Sequence, residues 1–326
     1  MRTIDIGIEK IDKIYHIADV HVRNVKRHKE YELVFKRLYS YIKKTKTQNS
    51  VIYVAGDIVH AKTDMSPELV AVVSDFFRRL SDLAPTLVIT GNHDCNLNNS
   101  HRMDALSPIV KALNHPRLHY LKDNGIYLIS GVHFNVLSVF DKPVDYIKAD
   151  SFEGDYKIAL HHGSVHNAST DAGFTLSNTH VTTKMFEGHD LVLLGDIHKP
   201  QYLDEDRTIA YAGSLIQQNH GEALGHGIMV WDLETKKCEF VEIQNDYGYY
   251  TYHVEDGKIL NPSDKIPIRP RLRLKVKDTD SATLKEIVAK IKSEYRVQDI
   301  SIQKINALNT TDSKKKINFG NIRDVE

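Results

Sequence analysis

Cysteine is nearly absent: two residues, Cys95 and Cys238, in a chain of 326. That is too few for a disulfide framework or a cysteine-rich zinc site, and it fits a reducing compartment. Any metal must then be held by His, Asp or Asn. Long apolar runs are missing too. No stretch approaches the roughly 18 residues that signal a membrane-spanning helix. The opening MRTIDIGIEK has neither an apolar leader core nor a small-residue cleavage site, so a cytoplasmic location with no membrane partner is expected. No GxxxxGK[ST] loop occurs, so no ATPase of that type is encoded, and there is no internal repeat. Net charge is absent as well, 43 Lys+Arg facing 43 Asp+Glu. Yet residues 256–326 carry 16 Lys and Arg against 10 Asp and Glu. A basic end beside an acidic body points to a polyanionic partner, although a solvated face gives the same bias about as often.

What is present suffices for a sizeable core: 41% of residues are hydrophobic, and the length predicts one large domain plus a smaller one. Short β-branched runs at Lys13–Ala18, Val51–Ala55, Thr86–Thr90, Lys157–Leu160 and Leu191–Leu194 read as buried strands. Helical spacing of Tyr31, Val34, Phe35, Leu38 and Ile42 places a helix over His28–Lys46. Ser66 then Pro67 start another, continued by Leu69, Val72, Val73, Phe76, Phe77 and Leu80, with Phe76 and Phe77 read as core. The order β-α-β-α-β predicts a mostly parallel or mixed sheet with its ligands at the carboxyl ends of strands. Strand patterns without helices over Gly125–Phe140 and Thr208–Thr251 predict a second, more antiparallel sheet. Pro262, Pro267 and Pro270 mark a linker, with a boundary near residue 260. A small unit follows, of strand Arg271–Lys277, helix Ser281–Tyr295 and strand Val297–Gln303, and a mobile polar tail is expected over 309–326.

Five strand ends carry ligand-type side chains: Asp19-Val-His21, Gly56-Asp57-Ile-Val-His60, Gly91-Asn92-His93-Asp94, His161-His162-Gly163 and Gly195-Asp196-Ile-His198. Residues at i and i+2 of a strand face one side, so Asp19/His21 and Asp196/His198 can each serve one ion. Mixed oxygen and imidazole donors suit Mn, Fe or Zn better than Ca or Mg. Singly these motifs are weak: Asp-x-His is usually a turn pair, Gly-Asn-His-Asp is an ordinary turn sequence, and His60 alone reads as a loop cap. Five strand ends in this order are not explained by turn preference.

This ordered set, DxH, GDxxH, GNHD, H and GxxH, resembles the calcineurin-like metallophosphoesterases. The His60 spacing, and Tyr211-Ala-Gly213-Ser214-Leu-Ile-Gln217-Gln218 followed by Gly221-Glu222, are similar to the SbcD-type nuclease subunit of double-strand-break repair, phage-encoded relatives included. The resemblance spans about residues 14–235. It implies an α/β, four-layer fold: a metallophosphoesterase β-sandwich flanked by helices over 1–260, with a βαβ capping domain at 261–308 that contacts DNA. It implies two divalent ions, manganese expected, that activate water and clamp phosphoryl oxygens. Asp19, His21, Asp57 and Asp196 or His198 would surround one ion. Asp57 would bridge to a second held by Asn92, His161 and His198 or its neighbour. His162 is a rival to His161, which is favoured because it directly follows the apolar strand. His93 would protonate or orient the leaving oxygen, and His60 would position the scissile phosphate. Asp196 stands where the family more often has His, and this extra carboxylate favours a hard ion.

The function expected from the resemblance is exonuclease or endonuclease action in DNA repair, recombination or replication, on duplex ends and single strands. The implied partners are an SbcC-like coiled-coil ATPase and a second copy of the chain, and the setting would be a host's cytoplasm if the chain is phage-encoded. The alternatives are a phosphatase or phosphodiesterase on a non-DNA substrate and a non-catalytic scaffold. Arg269, Arg271, Arg273, Lys275 and Lys277 alternate along one strand face, so Arg271, Arg273 and Lys275 are candidate DNA contacts. Lys314, Lys315 and Lys316 either touch phosphates or solubilise a tail. Cys95 abuts the site as a bystander, since a reactive thiolate needs an activating base.

Overall fold

The computed structural model describes residues 1–99, 101–177 and 179–305; the expected tail and Lys314–Lys316 lie outside them. The chain divides into two compact units, Met1–Asn245 and Asp246–Glu326. In the first unit the order is β1 (Arg2–Thr3), β2 (Lys13–Ile17), α1 (His28–Thr45), β3 (Ser50–Ala55), α2 (Pro67–Leu83), β4 (Thr86–Ile89), α3 (Leu106–Leu113), β5 (Leu118–Tyr120), β6 (Gly125–Ile129) and β7 (Val132–Leu137). It continues with β8 (Lys157–His162), β9 (Leu191–Gly195), β10 (Gln201–Tyr202), β11 (Ile209–Tyr211), β12 (Gly227–Asp232) and β13 (Lys237–Glu242).

Two mixed sheets result. One has the order β13-β12-β2-β3-β4-β5, the other β1-β6-β7-β8-β9-β11-β10. The expected β-α-β-α-β unit is present: β2, β3 and β4 are parallel, in register Ile14↔Val51 and Tyr53↔Leu87. Ser66 caps α2 as its sequence requires, its hydroxyl accepting from the Leu69 amide at 3.2 Å. The apolar stripes of α1 and α2, including Tyr31, Phe35, Phe76 and Phe77, pack on the outer face of the six-stranded sheet. The inner faces of the sheets share a second core, in which Tyr53 and Leu87 meet Phe134, Leu160 and Leu193. Three-ten turns at Pro143–Asp145, Ala149–Ser151 and Thr183–Phe186 accompany the outer face of the seven-stranded sheet, where Phe186 packs with Val192 and Leu194. Among the described residues, no helix is long and apolar enough to cross a membrane.

The second sheet is less antiparallel than its sequence predicts. β6 and β7 form a hairpin, but β7-β8-β9-β11 run parallel. The strands of Thr208–Thr251 are shared among three sheets: β11 lies beside β9, β12 and β13 join the six-stranded sheet through antiparallel pairing of β12 with β2, and the strand from Tyr247 belongs to the second unit.

The second unit contains β14 (Tyr247–Glu255), β15 (Lys258–Ile259), β16 (Arg269–Lys277), α4 (Ser281–Glu294) and β17 (Asp299–Lys304), in sheet order β15-β14-β16-β17. The division falls at Asn245/Asp246 rather than near 260, since β14 pairs along its whole length with β16, Tyr247↔Arg269 to Glu255↔Lys277. Alternation sends Leu272, Leu274 and Val276 into a core with Ile287, Val288 and Ile291 of α4. Arg269, Arg271, Arg273, Lys275 and Lys277 therefore share the other face.

Candidate metal centre

The motif residues emerge where β2, β3, β4, β8 and β9 end, and the backbone there is strained. Asp19, His21, Asp57 and Asp196 have φ of 50, 49, 52 and 100°, left-handed values that cost L-residues energy and cluster at functional sites. Hydrogen bonds hold the turns together: the His21 amide donates to the Asp57 carbonyl at 2.9 Å and the Asp19 amide to the Gly56 carbonyl at 3.3 Å. Two glycines are obligatory. A Cβ at Gly91 would lie 2.1 Å from Asp57 Oδ1, and one at Gly56 would lie 2.6 Å from the Gly91 amide nitrogen, so only bare backbone lets the two loops meet.

Asp57 is the centre of the cluster. Its Oδ1 lies 3.3 Å from His162 Nε2 and its Oδ2 3.5 Å from His21 Nε2, so each oxygen serves a different histidine. His162 Nε2 also lies 2.8 Å from Asn92 Oδ1 and 3.9 Å from Asp196 Oδ1. His21 Nε2 lies 3.0 Å from His198 Nε2. The ligand atoms of Asp19, His21 and His198 fall within 4.8 Å of one another, as do those of Asp19, Asp57 and His162.

The hydrogen-bond inventory shows that these donors fit divalent cations. His162 Nδ1 contacts the Ala55 carbonyl at 2.6 Å, which can only accept, so Nδ1 carries a hydrogen and Nε2 is the nitrogen whose lone pair an ion can take, displacing the proton that the Asp57 carboxylate otherwise favours there. That lone pair, Asn92 Oδ1 and Asp57 Oδ1 are three acceptors converging on one point. His198 repeats the arrangement, with Nδ1 on Glu222 Oε1 at 2.8 Å and Nε2 facing His21. Asp19 and Asp57 are 0% and 2% exposed, and among the described residues neither pairs with Lys or Arg. Buried carboxylates without cations are costly, and bound metal relieves the cost. Burial first, then the neighbouring Asp57 and Asp196 carboxylates, raise Asp19 to about 7 against the opposing pull of His162 and His198. For Asp57 burial is outweighed by His162, which holds the carboxyl below its ordinary range. At His198 burial opposes protonation but the Glu222 hydrogen bond wins, raising it to about 9.

His60 and His93 form a second group with His21, their nitrogens again within 4.8 Å. The His60 and His93 rings stack with centroids 5.7 Å apart and planes 20° apart. His93 Nδ1 contacts the His60 carbonyl at 2.7 Å, and its amide donates to Asp57 Oδ1 at 2.8 Å. Burial first, and then the Arg23 charge, lower His60 to about 4.

The expected ligands Asp19, His21, Asp57, Asn92 and His198 converge. Asp196 sits at the edge, 20% exposed, its Oδ2 accepting from Ser164 Oγ at 2.7 Å and its amide donating to Asp19. His161 requires correction. β8 continues through His162, which pairs with Gly195, so alternation turns His161 away from the centre: its Nδ1 is on the Leu137 carbonyl at 3.0 Å and its ring lies beside Tyr146 and Phe186. His162 takes its place. Two further residues escaped the sequence reading. Asp94, fully buried, receives the amides of Ile58, Val59 and Gly91 at 2.9, 3.0 and 2.9 Å, tying both metal loops together. Glu222 orients His198, and its Oε2 accepts from the Gln218 amide at 2.6 Å; its only signal was the acid of the Gly-Glu pair. Cys95 is buried against the Gly91 carbonyl, and burial pushes its thiol up to about 12, which leaves it no thiolate chemistry near neutral pH. Arg271, Arg273 and Lys275 belong to the second unit.

A family model described as calcineurin-like phosphoesterase matches residues 12–200, a span that holds every ligand named above but not Glu222. Among curated proteins, the chain is 43% identical over 322 residues to "Uncharacterized protein R555" of Acanthamoeba polyphaga mimivirus, an alignment covering 94% of this chain and 24% of that protein. The chain thus spans about a quarter of the length of the curated relative it matches.

Proposed function

The chain belongs to the calcineurin-like phosphoesterase family, and from that premise we propose that it is a two-metal, manganese-dependent DNA phosphodiesterase of the SbcD kind. The observation that carries the phosphoester chemistry is Asp57, whose two oxygens face His21 and His162 at 3.5 and 3.3 Å, the arrangement of a carboxylate shared by two ions. The nucleic-acid part is supported by the Gly56-Asp57-Ile-Val-His60 spacing, by the Tyr211–Glu222 segment, and by the basic ladder Arg271, Arg273 and Lys275 on one sheet face, suited to backbone phosphates. A coiled-coil ATPase partner and a second copy of the chain belong to the same reading.

Asp19, His21 and His198 would hold one ion; Asn92 and His162 the other, with Asp57 between them and Asp196 beside the second. Bound divalent ions supply charge to offset the phosphoryl oxygens and lower the pKa of water. The protein's own groups do the rest. His93 Nδ1 keeps its hydrogen on the His60 carbonyl, so Nε2 is the atom that takes up a proton and delivers it to the leaving oxygen. His60, stacked on His93, offers a ring nitrogen to a nonbridging oxygen. Glu222 and the Ala55 carbonyl fix the tautomers of His198 and His162, keeping Nε2 directed at the cluster.

The test is cleavage of end-labelled linear duplex and single-stranded DNA with Mn, Mg or EDTA, comparing wild type with Asp57→Ala and His93→Ala. Manganese-dependent cutting lost in both variants is the expected result. Protein that binds manganese yet leaves both DNAs intact, with and without an ATPase partner, excludes the DNA reading.

A further inference from the structure

Arg23 follows the Asp19-Val-His21 motif but is absorbed by none of the roles above. Val22 and Val59 form a parallel bridge, locked by the Val22 amide on the Ile58 carbonyl at 2.8 Å and the His60 amide on the Val22 carbonyl at 3.1 Å. Both valines are fully buried in the helix-side core. Their successors, Arg23 and His60, therefore emerge together on the cleft side. Arg23 is partly exposed, yet its Nε is buried and has no hydrogen-bond partner. Among the described residues no carboxylate pairs with its guanidinium; its backbone alone is engaged, by Tyr31 and His28. Lys62, two residues past His60, likewise has no carboxylate partner among the described residues and rests on the Asn92 carbonyl at 3.3 Å. The lip beside His60 and His93 thus carries two cations without counterions.

The cleft beside Asp196 and His198 mixes both signs. It is lined by Asp171, Asp196 and Glu222, and its Lys199 is engaged by Ser169 Oγ at 3.2 Å. A second phosphate next to the scissile one finds charges already paired in that cleft and uncommitted cations at Arg23 and Lys62. An unpartnered guanidinium with a desolvated Nε is suited to a phosphate, which accepts two parallel hydrogen bonds from its planar fork. We propose that Arg23, assisted by Lys62, binds the phosphate flanking the scissile phosphodiester and so sets a preference for polyphosphodiester chains over isolated diesters. This inference rests on the phosphodiesterase reading above but not on DNA being the polymer.

The experiment uses the full chain with manganese and two chromogenic diesters: a p-nitrophenyl diester of thymidine monophosphate, and the same compound with a second phosphate on the other sugar hydroxyl. Wild type is expected to show a higher kcat/KM on the bisphosphorylated diester. Arg23→Ala should lower that kcat/KM by roughly 10- to 100-fold, and that for the plain diester by less than about 2-fold, the loss expected for one charge-assisted contact. Lys62→Ala should cost the bisphosphorylated diester about 2- to 5-fold. If Arg23→Ala folds poorly, Arg23→Lys keeps the charge but loses the fork, and should keep only part of the preference. Manganese content is measured for each variant and should match wild type. Equal wild-type kcat/KM on the two compounds overturns the inference while leaving the phosphodiesterase reading intact. So does an Arg23→Ala that loses both activities equally, or loses its manganese. Failure of wild type to hydrolyse either compound overturns the underlying reading, and this inference with it.

Discussion

The two sheets contribute different chemistry to the one centre. The six-stranded sheet supplies Asp19, His21, Asp57, His60, Asn92 and His93 from β2, β3 and β4, three of them at left-handed φ, and Asp94 ties together the loops after β3 and β4. The seven-stranded sheet supplies His162, Asp196 and His198 from β8 and β9. Its two ligand histidines each have their far nitrogen tied down, to the Ala55 carbonyl and to Glu222. On the first sheet His93 is tied in the same way, its Nδ1 to the His60 carbonyl, whereas His60 Nδ1 is buried without a partner, and Arg23 and Lys62 stand nearby. A histidine with a fixed tautomer presents one constant lone pair to an ion, whereas a histidine that moves protons needs a face open to substrate. Both walls carry candidate metal ligands, and in the proposed reading only the six-stranded one adds the groups that would handle phosphate and protons.

The sharpest test of this contrast is one substitution on each wall. His93→Gln should lower kcat by about 100- to 10,000-fold, the range for a general acid, with manganese stoichiometry unchanged. His198→Gln should lower stoichiometry along with activity. Metal analysis beside single-turnover rates distinguishes them; loss of metal from His93→Gln would erase the contrast.

Next in size is the pair on β8. His162→Ala should weaken manganese binding by at least about 100-fold, more than the loss of an outer partner costs. His161→Ala should leave it intact and instead cost about 2 kcal/mol of stability, as a large buried side chain is truncated. Titration calorimetry and thermal melts read the two effects separately.

This pair also shows where local reading stops. The β-α-β-α-β unit was legible because each signal is local: the stripe of α1, the Ser66-Pro67 cap, the Gly before Asp57 and Asn92. All motif residues of the six-stranded sheet consequently fall in the centre or on its lip. The limits of β8 are set by its neighbour instead. His162 is polar, so the strand reads as ending at Leu160, yet pairing with Gly195 extends it through His162 and reverses the parity of the two histidines. The same cause hid the insertion of β12 beside β2 and the pairing of β14 with β16, contacts between segments remote in sequence or separated by a proline-rich linker. Glu222 was quoted for its motif, but its role depends on a loop folding back over 24 residues to His198.

Glu222→Gln tests the seven-stranded wall more gently. The amide oxygen can still accept from His198 Nδ1, so the tautomer survives while the negative charge is lost. Manganese affinity should fall by about 10-fold, the lower end for an outer partner, and Glu222→Ala should approach 100-fold. Both are measurable by manganese electron paramagnetic resonance. An unchanged affinity in Glu222→Ala would make the tether structural only.

The smallest effect is expected from a tether of the other wall that touches no ligand. Asp104 accepts from the amides of Leu106 and Ser107 at 2.9 and 2.7 Å and from Lys122 at 2.8 Å, while the next residue, Ala105, donates its amide to the Asp94 carbonyl at 2.8 Å. Burial opposes the charged carboxylate, but Lys122 and Ser107 outweigh it and hold Asp104 below its ordinary pKa. A carboxyl depressed on folding adds stability above its unfolded pKa, near 3.9, and that stability is lost as pH falls through the folded value. Asp104→Asn should therefore cost about 1 kcal/mol at neutral pH, with wild-type and variant melting temperatures converging as pH falls below the ordinary carboxylate range. Manganese affinity should not change. A gap that persists in acid would assign the effect to the cap at α3 rather than to the ion pair. A fall in metal affinity would mean that the strained loops of the six-stranded sheet depend on their outer anchors as much as the histidines of the seven-stranded sheet do.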